Sequence, residues 1–250
     1  MSEKTLKGQA VLVTGAGGGI GRATAAAFAE AGARVACLDR DEPSLAQTMS
    51  LLNGNGFPIV ADLSNVANFP SILDQVEKLV GPLTILAHIA AVLRRLNIVD
   101  VTEADWDFHL NINAKATFFL GREFAELLKR NGRIGAVVNT SSQSWWTGGL
   151  DGSIVYAASK GAIVTLTRGF ARQYAPFNIR FNVVAPGCVD TPMLRSGLDD
   201  EAMERMLNQT PIGRLATPEE VANAIIFLAS PSASYITGST LAVTGGQLMF

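Results

Sequence analysis

Short apolar, β-branched runs punctuate the chain at residues 9–14, 34–38, 57–61, 83–88, 134–140, 179–184 and 239–243, with stretches between them long enough for helices. This alternation predicts a parallel sheet covered on both faces, an α/β doubly wound architecture of about seven strands. Gly32 follows Ala31 as a left-handed cap would, closing a helix over 22–31, and Thr217-Pro218-Glu219-Glu220 reads as a capping box with proline in the first turn. The least regular stretch is 192–216. Its polar, Met-rich piece (Met203, Met206, Leu207) between Pro192 and Pro211 suits a mobile lid over a pocket as well as an ordinary surface helix.

Composition narrows the picture. At 250 residues, with 48% hydrophobic, the chain can bury one α/β core and is too short for two ordinary domains with linkers, so 1–250 is expected to be one domain. A net charge of −2 with interspersed signs gives no basic stripe for nucleic acid and no polybasic membrane patch, leaving small soluble molecules as the expected partners. The amino-terminal stretch 1–9 is polar and no apolar run reaches membrane-spanning length, which points to a cytoplasmic protein. Cys37 and Cys188 show no metal or disulfide spacing and are expected to be reduced and structural.

Two constellations carry chemistry. After the first strand comes Gly15-Ala16-Gly17-Gly18-Gly19-Ile20-Gly21 and then an Ala-rich helix. Strand, glycines, helix is the context in which a backbone can approach a pyrophosphate and present it to a helix amino terminus. The second strand ends in Asp39, eighteen residues beyond Gly21, near the offset at which an acid binds the ribose 2′-hydroxyl of NAD and repels the 2′-phosphate of NADP. Arg22 and Arg40 weigh the other way, since either could meet a 2′-phosphate. The second constellation is Tyr156 and Lys160, four apart in a helical stretch and so on one face. A cation beside a phenol favours the phenolate and draws its pKa toward neutrality, where it can exchange protons with an alcohol or ketone.

In this order the motifs resemble those of the classical short-chain dehydrogenase/reductase family, and the resemblance covers essentially the whole chain. Thr14-Gly15-x-x-x-Gly19-x-Gly21 is similar to the family's cofactor fingerprint, with Gly18 where NADP-preferring members often carry a basic residue. Asp62-Leu63 resembles the pair that contacts adenine. Trp106, then Asn113, Ala116 and Phe118, resembles the stretch around the active-site asparagine, with Asn111 as a rival whose downstream spacing fits less well. Asn139-Thr140-Ser141-Ser142 resembles the strand end bearing the catalytic serine and points to Ser142 rather than Ser141. Pro186-Gly187-Cys188-Val189-Asp190-Thr191 is similar to the loop that holds the nicotinamide carboxamide through the Val189 backbone and the Thr191 hydroxyl. Two departures stand out. His88-Ile89-Ala90-Ala91 replaces the usual Asn-Asn-Ala-Gly, leaving the backbone around Ala90 to face the adenosine side without the amide hydrogen bonds. The Ser142-to-Tyr156 interval is one residue longer than usual, an insertion placed in loop 148–153.

The resemblance implies a Rossmann-type single domain, a cytoplasmic homotetramer and an NAD-dependent oxidoreductase interconverting a secondary alcohol and a ketone. Tyr156 would be the general acid/base, Lys160 would lower its pKa and bind the nicotinamide ribose, Ser142 would hold the substrate oxygen, and Asn113 would anchor a water linking Lys160 to solvent. Gly15, Gly19, Ile20, Gly21, Asp39, Asp62, Leu63, Ala90, Val189 and Thr191 would complete the cofactor site, with no metal. Trp145 or Trp146 is expected to wall the substrate pocket. Arg94, Arg95 and Arg195 lie in segments that flank it and read as surface residues or as partners for a substrate anion. His109 reads as a packing or surface residue. The apolar carboxyl-terminal residues 247–250 would be buried at a subunit contact. The alternatives are an NADPH-dependent carbonyl reductase and a catalytically idle dinucleotide-binding regulator.

Overall fold

The computed structural model describes residues 6–196 and 198–249. Phe250 and most of the polar amino-terminal stretch lie outside them. The elements run β1 (Ala10–Thr14), α1 (Gly19–Glu30), β2 (Arg34–Asp39), α2 (Glu42–Met49), β3 (Gly56–Val60), α3 (Phe69–Val80), β4 (Leu83–His88), α4 (Glu103–His109), α5 (Ala116–Arg130), β5 (Gly135–Thr140), α6 (Ser144–Thr147), α7 (Ile154–Tyr174), β6 (Ile179–Pro186), α8 (Pro192–Arg195), α9 (Asp200–Asn208), α10 (Pro218–Ala229) and β7 (Thr240–Val243). The seven strands form one parallel sheet in the order β3-β2-β1-β4-β5-β6-β7.

The two-residue period of the strands sorts the core onto both faces. Val11 and Val13 of β1 pack with Phe28 of α1 and Ile225 of α10. Ala10 and Leu12 face the other way, into a layer with Phe69 of α3, Phe124 of α5 and Phe170 of α7. A strand buried on both sides must be apolar throughout, and all five residues of β1 are buried. Pro58 sits in β3, which pairs with β2 alone, so its missing N–H costs no ladder bond on the open side. Strand order reverses between β1 and β4, and a crevice opens beyond the carboxyl ends of the strands there.

The expected elements are present with shifted ends. Helix α1 begins at Gly19 rather than 22, because its first turn is made of glycines that read as loop. It closes as anticipated at Gly32 (φ 90°): Gly32 N–H donates to the Ala29 carbonyl and Ala33 N–H to the Phe28 carbonyl, a Schellman motif. β6 runs two residues beyond 184, to Pro186, and β5 starts at Gly135, leaving Ile134 exposed. The capping box at Thr217 and Glu220 is formed. Stretch 192–216 carries two helices, α8 and α9, and is irregular from 209 to 216. Of the carboxyl-terminal run, Gln247 lines the central crevice and Met249 is exposed. Among the described residues no helix is long and apolar enough to cross a membrane.

Candidate active site

The crevice is a cleft of about 490 Å³. At one end Gly15, Gly19, Ile20 and Gly21 line it, with Asp39, Asp62, Leu63 and Ala90. At the other end it is lined by Ser142, Tyr156, Lys160, Val189 and Thr191. Every expected site residue except Asn113 therefore meets in one cavity.

The glycines are there because the backbone is crowded. A Cβ on Gly21 would fall on the Gly15 carbonyl oxygen, and one on Gly15 (φ 69°) would lie 2.8 Å from the Ala90 backbone. Helix α1 has no side-chain cap, so its first-turn N–H groups and the positive end of its dipole face the cleft. This uncapped, glycine-lined helix start fits the phosphates of a dinucleotide. Asp39 Oδ2 accepts the Gly17 N–H at 3.0 Å and Oδ1 accepts the Asp41 N–H at 3.1 Å, so the carboxylate is fixed at the cleft wall. Arg22 is spent elsewhere: Nη2 donates to the Gly17 carbonyl (2.7 Å) and Gln47 Oε1 (3.0 Å), and Nε to Thr48 Oγ1 (3.2 Å). Arg40 lines the cleft. Beyond β3, Asp62 Oδ1 accepts the Ser64 N–H at 2.8 Å, which shapes the turn carrying Leu63.

The segment that departs from the family pattern keeps its tie to β1. The Thr14 hydroxyl donates to His88 Nδ1 (2.8 Å) and accepts the N–H groups of Ile89 (3.2 Å) and Ala90 (3.3 Å). Burial and the nearby Lys160 charge hold the imidazole down to about 3, so it is neutral, and Nε2 has no partner. The lost amides are thus replaced in part by an imidazole–hydroxyl pair.

At the other end, α7 presents Tyr156 and Lys160 on one face, and β5 delivers Ser142 just past its end. Ser142 faces Tyr156 in the cleft, where its hydroxyl lowers the phenol's pKa, and its Oγ accepts the Ser144 N–H at 3.2 Å. Ser141 instead donates to the Lys160 carbonyl at 2.8 Å and is buried. Lys160 is 1% exposed; its Nζ donates to the Thr140 carbonyl at 2.7 Å and lies 5.5 Å from the Tyr156 ring centre. The electrostatics differ from the sequence expectation. Burial pushes the Tyr156 phenol up to about 12, and the groups that pull it down are the Ser142 hydroxyl and the Arg95 charge. Burial pushes Lys160 down to about 7. A dry environment disfavours both charged forms, and the sequence pattern carries no measure of that dryness.

Asn113 stands behind the wall. It lies in a π-helical turn, Leu110–Lys115, between α4 and α5. Its Oδ1 accepts the Val92 N–H (2.8 Å) while Nδ2 donates to the Val92 carbonyl (3.0 Å) and Ser159 Oγ (3.0 Å). It ties the loop after β4 to α7. In the carboxamide-type loop, the bridge between 189 and 216 uses the Cys188 carbonyl and the Asp190 N–H, so it does not consume the Val189 N–H. Thr191 packs over Gly19, 2.6 Å from where a Cβ would stand.

Several expectations need correction. The two tryptophans on α6 stack edge to face on each other (5.1 Å, 71°), Trp146 is exposed, and neither is among the described residues lining the cleft. The short helix turns their rings together instead of over the site. Of the three arginines, Arg94 pairs with Asp105 and covers Phe108 at 3.8 Å, and Arg195 pairs with Asp190. Arg95 alone lines the cleft. His109 is buried, its Nδ1 donating to the Asp105 carbonyl (2.7 Å) and its Nε2 accepting the Arg94 N–H (3.0 Å). Sequence reasoning missed Gln143 and Gln247, which join at 2.8 Å on the wall, and left Cys188 as structural although it lines the cleft. No local signal marks these residues, because they meet only through β7 and its tail.

The chain matches the family described as Enoyl-(Acyl carrier protein) reductase over residues 15–247. It is similar to the 3-oxoacyl-(acyl-carrier-protein) reductase of Thermotoga maritima, 36% identical over 247 residues that cover 98% of this chain and 99% of that protein. It is also similar to the (3R)-3-hydroxyacyl-CoA dehydrogenase of Homo sapiens (34% over 258 residues; 99% and 98% covered). A third relative is the galactitol 2-dehydrogenase (L-tagatose-forming) of Cereibacter sphaeroides (37% over 255 residues; 98% and 97% covered).

Proposed function

This chain belongs to the short-chain dehydrogenase/reductase family, oxidoreductases that use NAD(P)(H) on alcohol- or ketone-type substrates, and we propose that it interconverts a secondary alcohol and a ketone with NAD(H), Tyr156 moving the proton. The observation that carries this reading is the meeting of Ser142, Tyr156 and Lys160 at one end of a cleft whose other end is a glycine-lined helix start. When bound there, the nicotinamide supplies the hydride acceptor or donor. Held up to about 12, the phenol is protonated at neutral pH and ready to donate to a ketone oxygen. Ser142, beside Tyr156 on the cleft wall, holds that oxygen and stabilises the charge growing on it. In the alcohol direction the phenolate form of Tyr156 takes the hydroxyl proton, and the Arg95 charge favours that form. Lys160 spends one N–H on the Thr140 carbonyl and keeps others for the ribose. Asn113 holds the Val92 loop and α7 in register. Helices α8 and α9 lay Met193, Leu194 and Met206 on the cleft and serve as its movable cover.

The NAD preference is supported by Asp39, whose carboxylate is fixed at the wall by two N–H groups, and by Arg22 being held through Nε and Nη2 on Thr48, Gly17 and Gln47. One observation favours the NADPH reading: Arg40 lines the same wall and has no ion-pair partner among the described residues. Paired titrations of the purified protein with NADH and NADPH, followed by a panel of ketones and secondary alcohols, test the proposal. Tighter NADH binding with turnover is the expected result. Preference for NADPH would transfer the reading to the carbonyl reductase, and binding without turnover across the panel would defeat both.

A further inference from the structure

Arg95 is placed with more care than a surface arginine needs. Its loop is clamped from three sides: by the Asn113 amide on both polar groups of Val92, by His109 on the Arg94 N–H, and by the Gly152 carbonyl on the Leu96 N–H (2.9 Å). Arg94 is thereby turned out to Asp105 and Phe108, and Arg95 is turned in, half-buried, onto the cleft wall beside Tyr156. The guanidinium donates only to main-chain carbonyls, Nε to Ser196 (3.2 Å) and Nη1 to Asp151 (3.5 Å). None of the ion pairs among the described residues includes it, and the Asp151 carboxylate pairs with Arg205 at 3.6 Å.

The acids on the cleft wall are Asp39, Asp41 and Asp62, all at the glycine-loop end. The reacting end is neutral and largely apolar, with Leu93, Leu150, Met193, Leu194 and Met206, apart from Lys160 and Arg95. Its charge is felt by both Tyr156 and Cys188. The Asp151 carboxylate acts on Arg95 only from beyond ion-pair distance, and a partly desolvated guanidinium with no carboxylate in contact, beside the proton donor, is a site for an anion supplied by the substrate.

We propose that Arg95 selects the substrate by charge: the preferred substrates are short hydroxy acids and their oxo acids, with the free carboxylate on the Arg95 guanidinium and the carbinol or carbonyl carbon at Tyr156. This deepens the reaction proposed above and rests on it. A free carboxylate is favoured over a phosphate at the far end of a carrier thioester, because Arg95 acts on Tyr156 itself, so its anion lies only a few bonds from the reacting carbon.

The test is steady-state reduction, with NADH and with NADPH, of 2-, 3- and 4-oxo acids, each against its methyl ester, and of the coenzyme A thioester of the 3-oxo acid. The best acid is expected to exceed its ester in kcat/KM by about 100-fold, as expected when a buried charged pair is made or left unmade. Arg95→Met should collapse that ratio to within about tenfold of unity, chiefly through KM for the acid, and Arg95→Lys should keep part of it, since an ammonium retains the charge without the fork. A wild-type protein that reduces the ester or the thioester as well as the acid overturns the inference whatever the variants do. So does an acid-to-ester ratio that survives Arg95→Met. Reduction of no panel member with either nucleotide defeats the underlying reaction, a different failure from turnover without charge preference.

Discussion

Replacing Lys160 with methionine should make the protein more stable at low pH while destroying its activity. The side chain is 1% exposed, and burial pushes its ammonium from the ordinary 10.5 down to about 7. Below that folded value both folded and unfolded chains carry the proton, and the folded chain bears the full cost of the buried charge. That shift corresponds to roughly 4–5 kcal/mol. Methionine removes this cost but leaves the Thr140 carbonyl without its 2.7 Å donor, a loss of about 1–3 kcal/mol. Lys160→Met should therefore gain about 2–3 kcal/mol near pH 6. Between about 7 and 10.5 the unfolded chain holds a proton that the folded wild type has released, so wild-type stability rises with pH through that window. The variant has no such titration. Its advantage should shrink above neutrality and reverse at about pH 9, all other titrations being common to both proteins. Urea unfolding of both proteins without added nucleotide, followed by tryptophan fluorescence at four pH values, reads this directly. A stability difference that is constant with pH, or a variant weaker than wild type at pH 6, would refute the buried, depressed amine.

Two further substitutions probe the cofactor end. Asp39→Ala removes the carboxylate that holds the Gly17 and Asp41 N–H groups; NADH binding should weaken by about 10–100-fold, the worth of one or two hydrogen bonds to a charged group, while NADPH binding tightens. Fluorescence titration with both nucleotides measures it, and an unchanged NADH-to-NADPH ratio would remove Asp39 from the ribose site. Gly21→Ala drives a methyl group onto the Gly15 carbonyl, so α1 must move off its loop at a cost of about 1–3 kcal/mol. A lower unfolding midpoint together with weaker binding of both nucleotides is expected, and wild-type values for both would show that the loop yields freely.

The parts of the site that were legible in the sequence are those set by local periodicity. The strand–glycine–helix order, the strand-end position of Asp39 and the four-residue spacing of Tyr156 and Lys160 survive in the structure because each depends on one element or one turn. Asn113 was found in sequence but not its place behind the wall, since the π-turn of 110–115 has no composition signature. Which of two adjacent arginines faces the cleft is decided by His109 and Asn113, 14–19 residues downstream. The spacing of the phenol and amine implies an ion-assisted pair, yet burial dominates both. Burial is a property of the assembled fold and not of the spacing.

The most direct test of the proposed chemistry is Tyr156→Phe, assayed for NADH affinity and for turnover of the best ketone in the panel. The account predicts a nucleotide Kd within about threefold of wild type and a kcat/KM lower by about 10²–10⁴, the usual worth of a positioned proton donor. Turnover within about tenfold of wild type would contradict it, because the proton would then be moving through another group.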